Sequence, residues 1–196
     1  AGVTLLDYSS DASHNRSVIT FMGSPEGVIN AAVALAKKAA ELIDLTHHKG
    51  EHPRMGAVDV CPLIPLKDCT KEETVEYSKQ LGERIWKEAG IPVFLYEDSA
   101  SAPHRVNLAD IRKGQFEAMP EKVKDPMWTP DFGGAFCHPT AGCTAVGCRM
   151  PLVAFNINLS TDNVDIAKSI AKIIRRNVPN AYIAGLSLAR NKAEFL

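Results

Sequence analysis

Apolar and polar positions along the chain fall into blocks whose period changes, and each change marks an element boundary. Residues 3–8 (VTLLDY) and 17–23 (SVITFMG) are short, apolar and rich in β-branched side chains, with a polar Ser, Asp, His and Asn stretch between them. They predict two strands around a loop. Ser24 and Pro25 then supply a helix N-cap and a first-turn proline. Val28, Ile29, Ala32, Val33, Ala36, Ala39, Ala40 and Ile43 follow at helical spacing, so a first helix runs from there. Residues 57–66 (AVDVCPLIPL) read as a buried strand, and Pro62 and Pro65 put it at an edge or an end. Thr70 with Glu73 forms a capping box, after which Val75, Ser78, Gly82, Ile85, Trp86 and Ala89 trace a second helix that Gly90 and Pro92 stop.

Beyond this the pattern is less regular. Residues 92–97 (PVFLYE) predict a strand, and the polar stretch 99–128 predicts short helices near 108–112 and 115–124. Residues 131–147 contain Gly133, Gly134, Gly142 and Gly147 and are too long for a simple turn, which makes them a candidate functional loop. Residues 152–160 (LVAFNINLS) form the clearest strand pattern. Asp162 opens a helix with Ile166, Ala167, Ile170, Ala171 and Ile174 on one face. Strands alternating with helices predict an α/β chain, an α+β sandwich in which helices cover the outer face of a mixed β-sheet.

Composition narrows the class. The 196 residues are 45% hydrophobic and 23% charged, with no apolar run long enough for a membrane span, so disordered, fibrous and membrane-spanning readings are set aside. Lys and Arg number 22 against 23 Asp and Glu, so no global charge steers the chain to nucleic acid or to an anionic membrane. Any anionic ligand must be met by local basic residues. Five cysteines, an odd number in a chain too large to need disulfide staples, fit reduced thiols in a cytoplasm. The N-terminal AGVTLLDYSS lacks the basic and apolar regions of a signal peptide.

The densest chemistry lies in THHKGEHPRMGAVD, residues 46–59. His48, Glu51 and His52 match H-x-x-E-H, an inverted zinc-protease pattern, but that pattern needs both histidines on one helix face. Gly50 lies inside it and Pro53 pushes His52 away from helical geometry. A second reading makes His52 a proton carrier, an imidazole able to accept and return a proton near neutral pH. Lys49 and Arg54 beside it would favour the neutral ring and attract carboxylates. The plain alternative is a solvated basic loop at a helix exit. Asn15 and Arg16 open the second strand and read either as a turn with a solvated cation or as ligand contacts. In DFGGAFCHPTAGCTAVGCR, residues 131–149, the glycines let backbone approach a flat ligand or an anion, and Arg149 can fork onto a carboxylate. Cys137, His138, Cys143 and Cys148 lack the knuckle spacing of structural zinc sites and read as buried or incidental thiols.

At these residues the chain resembles the N-terminal subdomain of the glutamate formimidoyltransferase family, which also forms the transferase part of formimidoyltransferase-cyclodeaminase. The motifs that carry the resemblance are LLDYSSDASHNRSVITFMGSPE, LIDLTHHKGEHPRMGAVDVCPLIP, PVFLYE, PDFGGAFCHPTAGCTAVGCR and PLVAFNINL, in family order, with HKGEHPRMGA the most specific. HPTAG and AVG-R look like the stand-alone bacterial type. The resemblance implies a formiminotransferase-like fold and transfer of the formimino group from N-formimino-L-glutamate to N5 of tetrahydrofolate, giving 5-formimidoyltetrahydrofolate and L-glutamate in histidine degradation. Tetrahydrofolate is then the co-substrate, and no metal, nucleic acid or membrane is involved. His52 matches the family's catalytic histidine, a general base. The folate-binding stretch falls on Gly133, Gly134, Ala135, Phe136, Cys137, His138, Pro139, Thr140, Ala141 and Gly142. Asn15, Arg16, Lys49, Arg54 and Arg149 lie in family motifs and are inferred as carboxylate or pterin contacts.

The resemblance also implies a domain plan. Residues 1–150 correspond to the N-terminal subdomain without the opening strand and helix of the family, and residues 151–196 to an incomplete start of the C-terminal subdomain. Folate lies between the two subdomains in the family, and its members are commonly dimers, which makes a homodimer the expectation here. A non-catalytic folate-binding module, lacking the second wall, is the competing expectation.

Overall fold

The computed structural model describes residues 2–152, 157–178, 185–188 and 192–195. Its first two strands, β1 (Val3–Asp11) and β2 (Arg16–Gly23), form an antiparallel hairpin registered from Val3 opposite Gly23 to Asp11 opposite Arg16. The hairpin reaches further into the polar stretch than the apolar pattern predicts, because Ser9, Ser10 and Asp11 pair with Val18, Ser17 and Arg16 through backbone groups that need no apolar side chain. Asn15 closes the tip at φ 49, a left-handed conformation that asparagine tolerates, and its N–H donates to the Ala12 carbonyl.

Helix α1 (Pro25–Leu42) starts where Ser24 Oγ accepts from the Gly27 N–H, and its Ile29, Ala32, Val33 and Ala36 form the buried stripe. In α2 (Lys71–Ala89) the capping box is complete in both directions: Thr70 Oγ1 accepts from Glu73 N while Glu73 Oε2 accepts from Thr70 N. Gly90 ends the helix in left-handed conformation at φ 69, a position glycine fills without a Cβ penalty. The two helices pack against each other.

Three parallel strands make the centre: β3 (Val60–Leu63), β4 (Val93–Leu95) and β5 (Thr144–Cys148), in the order β3-β5-β4. Alternation along these strands divides the core. Val93, Val146 and Leu63 join α1 and α2 on one face. Phe94, Tyr96 and Ala145 join Ile111 of α3 (Leu108–Arg112) and Met119 of α4 (Gln115–Lys122) on the other. The α+β class holds, with strands divided between parallel and antiparallel sheets and helices on both faces of the parallel one. Strand β3 is an edge, as its Pro62 requires, and it is shorter than the 57–66 apolar run.

The central strand β5 lies inside the stretch that reads as a long glycine loop. All of its residues are buried. A strand covered on both faces shows no alternation, and Thr-Ala-Val-Gly-Cys has little β propensity of its own, so only its neighbours make it a strand.

The remaining elements form a second antiparallel sheet. They are β6 (Ile157–Asn158), α5 (Val164–Asn177), β7 (Gly185–Leu188) and β8 (Lys192–Phe195), with strand order β6-β8-β7 and α5 packed on β7 and β8. Helix α5 is capped by Asn163, whose Oδ1 accepts from Asp165 N at 3.0 Å. Of the strand expected at 152–160, residues 153–156 lie outside the described residues and Ile157–Asn158 is a strand. Among the described residues no helix is long and apolar enough to cross a membrane.

Candidate active site

The exit of α1 and the tip of the hairpin meet. Residues 44–56 leave the helix as turns, bends and extended backbone, so His48, Glu51 and His52 share no helix face and the inverted zinc-protease geometry is not formed. Among the described residues no group of three or more His, Cys, Asp or Glu is disposed to hold a metal ion. Asn15 Nδ2 donates to the Lys49 carbonyl at 2.9 Å and to His48 Nδ1 at 3.2 Å, and the Glu51 N–H donates to the Ser13 carbonyl at 3.1 Å. Gly50 is what permits this approach, since a Cβ there would run into the His14 carbonyl and the Asn15 side chain.

His52 is half-buried at this junction. Burial pushes its imidazole down to about 4, and the charges of Arg112, Arg16 and His14 push in the same direction; a hydrogen bond with the Pro53 backbone opposes them. At neutral pH the ring is therefore an uncharged base with a free lone pair. Sequence reasoning missed two of these three neighbours: His14, which lies within LLDYSSDASHNRSVITFMGSPE, and Arg112. His14 is buried, its Nδ1 lying 2.6 Å and its backbone N 2.7 Å from Asp11 Oδ1. The pattern Asp-x-x-His around a predicted turn is the signal that could have found this pair. Arg112, on α3, is paired with Asp59, whose other oxygen accepts from the Met55 N–H at 2.7 Å. Burial raises the Asp59 carboxyl, against the opposing charge of Arg112. No local pattern around Arg112 marks it.

The five candidate carboxylate contacts part company. Asn15 joins the hairpin to the histidine loop, and Arg16 is exposed but near enough for its charge to act on His52. Lys49 is exposed. Arg54 makes a carboxylate fork within the protein, Nη2 and Nη1 donating to Glu117 at 2.7 and 2.9 Å, with Nη2 also reaching the His48 carbonyl at 3.1 Å. It thereby straps the histidine loop to α4. Arg149 lies at the far end of β5, its N–H on the Leu63 carbonyl. At roughly 3.3 Å per residue the six steps from Cys143 put it about 20 Å from the histidine loop. Its guanidinium instead lies beside Tyr96, whose phenol burial pushes up to about 12.

The glycine loop is brought to the histidine loop directly. Ala57 N donates to the Ala141 carbonyl at 2.9 Å, Cys143 N to the Met55 carbonyl at 3.0 Å, and Gly56 bridges to Gly142. The two chains pass so closely that a Cβ on Gly56 would overlap the Cys143 carbonyl and one on Gly142 the Met55 carbonyl. Within the loop, His138 Nδ1 accepts from Ala141 N at 3.0 Å and Thr140 N at 3.3 Å, which leaves the ring proton on Nε2. Gly133 (φ 113) lies against Pro92 and Trp86, Gly134 (φ 62) faces open space, and exposed Phe136 tilts toward Trp86 at 6.0 Å between ring centroids. Cys137 is half-buried, and a hydrogen bond from Cys143 lowers its thiol. These loops gather at the amino-terminal ends of the parallel strands, where Thr144 N reaches the Pro92 carbonyl and Ala145 N the Asp59 carbonyl.

The formiminotransferase domain, N-terminal subdomain, matches residues 1–149. The chain belongs to that family. It is 66% identical over 174 residues to a glutamate formimidoyltransferase of Streptococcus pyogenes, a match covering 89% of this chain and 58% of that protein. A glutamate formimidoyltransferase of Thermoplasma acidophilum is 44% identical over 196 residues, 99% of this chain and 63% of its own length. The formimidoyltransferase-cyclodeaminase of Mus musculus is 49% identical over 158 residues, 81% of this chain and 29% of its own length. This chain of the formiminotransferase family therefore spans less than two thirds of the length of each of these relatives.

Proposed function

We propose that the chain is the amino-terminal part of a glutamate formimidoyltransferase, which moves the formimino group of N-formimino-L-glutamate to N5 of tetrahydrofolate. The observation that carries the reading is His52, half-buried and within reach of the charges of Arg112 and Arg16, on a loop hydrogen-bonded to the glycine-rich stretch. In the reaction N5 bonds to the amidine carbon and gives up its proton, and the carbon–nitrogen bond to glutamate then breaks as that nitrogen gains a proton. A neutral His52 can take the first proton and return it to the departing amine, a contribution of about 10²- to 10⁴-fold. The residual acceleration comes from holding the two substrates together. A module that only bound folate would have no use for such a histidine.

Gly133 to Gly142 is the proposed folate stretch, and Asn15, Arg16 and Lys49 stand where an acidic substrate would be met. In this reading Arg54 positions the histidine loop. Arg149 belongs to the opposite end of the sheet, beside Tyr96, and residues 151–196 begin the second subdomain. Five free thiols suit a reducing cytoplasm. A homodimer of the full chain completes the proposal.

The test is steady-state release of glutamate by the full chain. His52→Gln is expected to lower kcat/KM by about 10²- to 10⁴-fold while tetrahydrofolate binds as before. Activity within threefold of the parent would remove His52 from the chemistry.

A further inference from the structure

Among the described residues the buried side-chain polar atoms without a hydrogen-bond partner are His14 Nε2, Arg54 Nε and Arg112 Nε. Native proteins leave few such atoms, because each forfeits its hydration without return. All three belong to the segments that converge on His52, and two of them to the residues whose charges act on its ring. Each side chain is also held from behind. His14 is 9% exposed and fixed by Asp11, and Arg112 is fixed by Asp59.

We propose that His14 and Arg112 form a socket beside His52 that takes a carboxylate of the acidic donor. The inference rests on the transferase reading above and assigns it two residues. An arginine Nε–H only donates, so its missing partner is an acceptor, and the positive charge of Arg16, which also reaches His52, favours an anionic one. His14 gives its Nδ1–H to Asp11, so Nε2 is the edge left for the ligand, and it donates to a carboxylate only as the protonated ring, the anion binding together with one proton. Folate also carries carboxylates, on its glutamate tail. The donor is favoured by connectivity: its α-carboxylate stands one carbon from the nitrogen that His52 must protonate, whereas the folate tail is separated from N5 by the whole p-aminobenzoyl group.

The variants separate these roles. His14→Asn keeps an amide nitrogen facing Asp11 and removes the Nε2 edge, whereas His14→Gln places an amide near the Nε2 position. Arg112→Lys keeps a cation for Asp59 and removes the Nε–H. In the full chain, His14→Asn and Arg112→Lys are expected to raise KM for N-formimino-L-glutamate by about tenfold to a hundredfold, the size of a lost hydrogen bond to a charged group, with the effect on KM rather than on kcat. His14→Gln recovers most of it. A rise in KM for tetrahydrofolate instead, absent with tetrahydropteroate, which lacks the tail, would give the socket to folate and overturn the assignment. Lower melting temperatures with unchanged KM in both variants would make the residues merely structural and overturn it too. Should the parent show no formimino transfer, calorimetric titration with L-glutamate decides separately. Weaker binding in His14→Asn retains the socket while the transferase reading falls, and equal or absent binding rejects the socket. If His14→Asn does not fold, Arg112→Lys answers alone.

Discussion

The closeness of the histidine and glycine loops can be measured with three alanine substitutions. Gly134 has a left-handed φ of 62 but open space around its Cβ position, so Gly134→Ala meets only the backbone cost, about 1–2 kcal/mol. Gly56 has the reverse problem: its φ is ordinary, and an added Cβ overlaps the carbonyl of Cys143, a residue whose own N–H is bonded to the Met55 carbonyl. Overpacking of that kind costs about 1–3 kcal/mol. Gly142 combines a φ of 66 with overlap on the Met55 carbonyl, so Gly142→Ala should cost about 2–5 kcal/mol. For a chain of this size each kcal/mol moves Tm by about 2–4 °C, giving losses of about 2–8, 2–12 and 4–20 °C in that order. Calorimetric melting under one buffer condition reads all three. Gly56 and Gly142 share one bridge, so their double variant should fall short of additivity. The reasoning fails if Gly142→Ala costs no more than Gly134→Ala, because the loops would then not be in the contact described.

Two further outcomes follow from charges at and beside the site. The folded His52 titrates at about 4 against an ordinary 6.5, so between these values the unfolded chain binds a proton that the folded chain refuses. Its contribution to stability is complete above pH 6.5 and is lost as the pH falls toward 4. The full shift would be worth about 3 kcal/mol, and solvent screening of a half-exposed ring reduces this to about 1–2 kcal/mol. Denaturant titrations at pH 7.5 and 4.5 should therefore show a smaller acid loss in His52→Gln than in the parent, and equal losses would contradict it. Behind the glycine loop, Arg105 Nη1 pairs with Asp131 Oδ2 at 3.0 Å, with side chains 8% and 12% exposed, and the same oxygen accepts from Leu95 N at 2.8 Å. Arg105→Met strands that carboxylate and should cost about 3–5 kcal/mol, and adding Asp131→Leu should restore part of the loss. A single variant within about 1 kcal/mol of the parent would mean that the pair is not buried as described.

Much of the fold is written locally. The Ser24 cap, the Thr70–Glu73 capping box and the Gly90 stop set both long helices, because a helix end is decided by groups within one turn of it. Pro62 marks an edge strand for an equally local reason, the missing N–H. His52 and the glycine-rich stretch could be singled out by residue type, spacing and resemblance. What the chain order could not state was which distant groups meet. β5 is a strand only because two others flank it and helices cover both its faces. Arg54 and Arg149 look alike as basic residues in motifs, yet one is forked onto Glu117 and the other lies at the opposite end of a strand. His14 and Arg112 acquire their relation to His52 only when the hairpin tip and α3 close on one loop. Local hydrogen bonding fixes elements within a few residues, whereas burial and electrostatic fields are sums over neighbours that only the folded chain supplies.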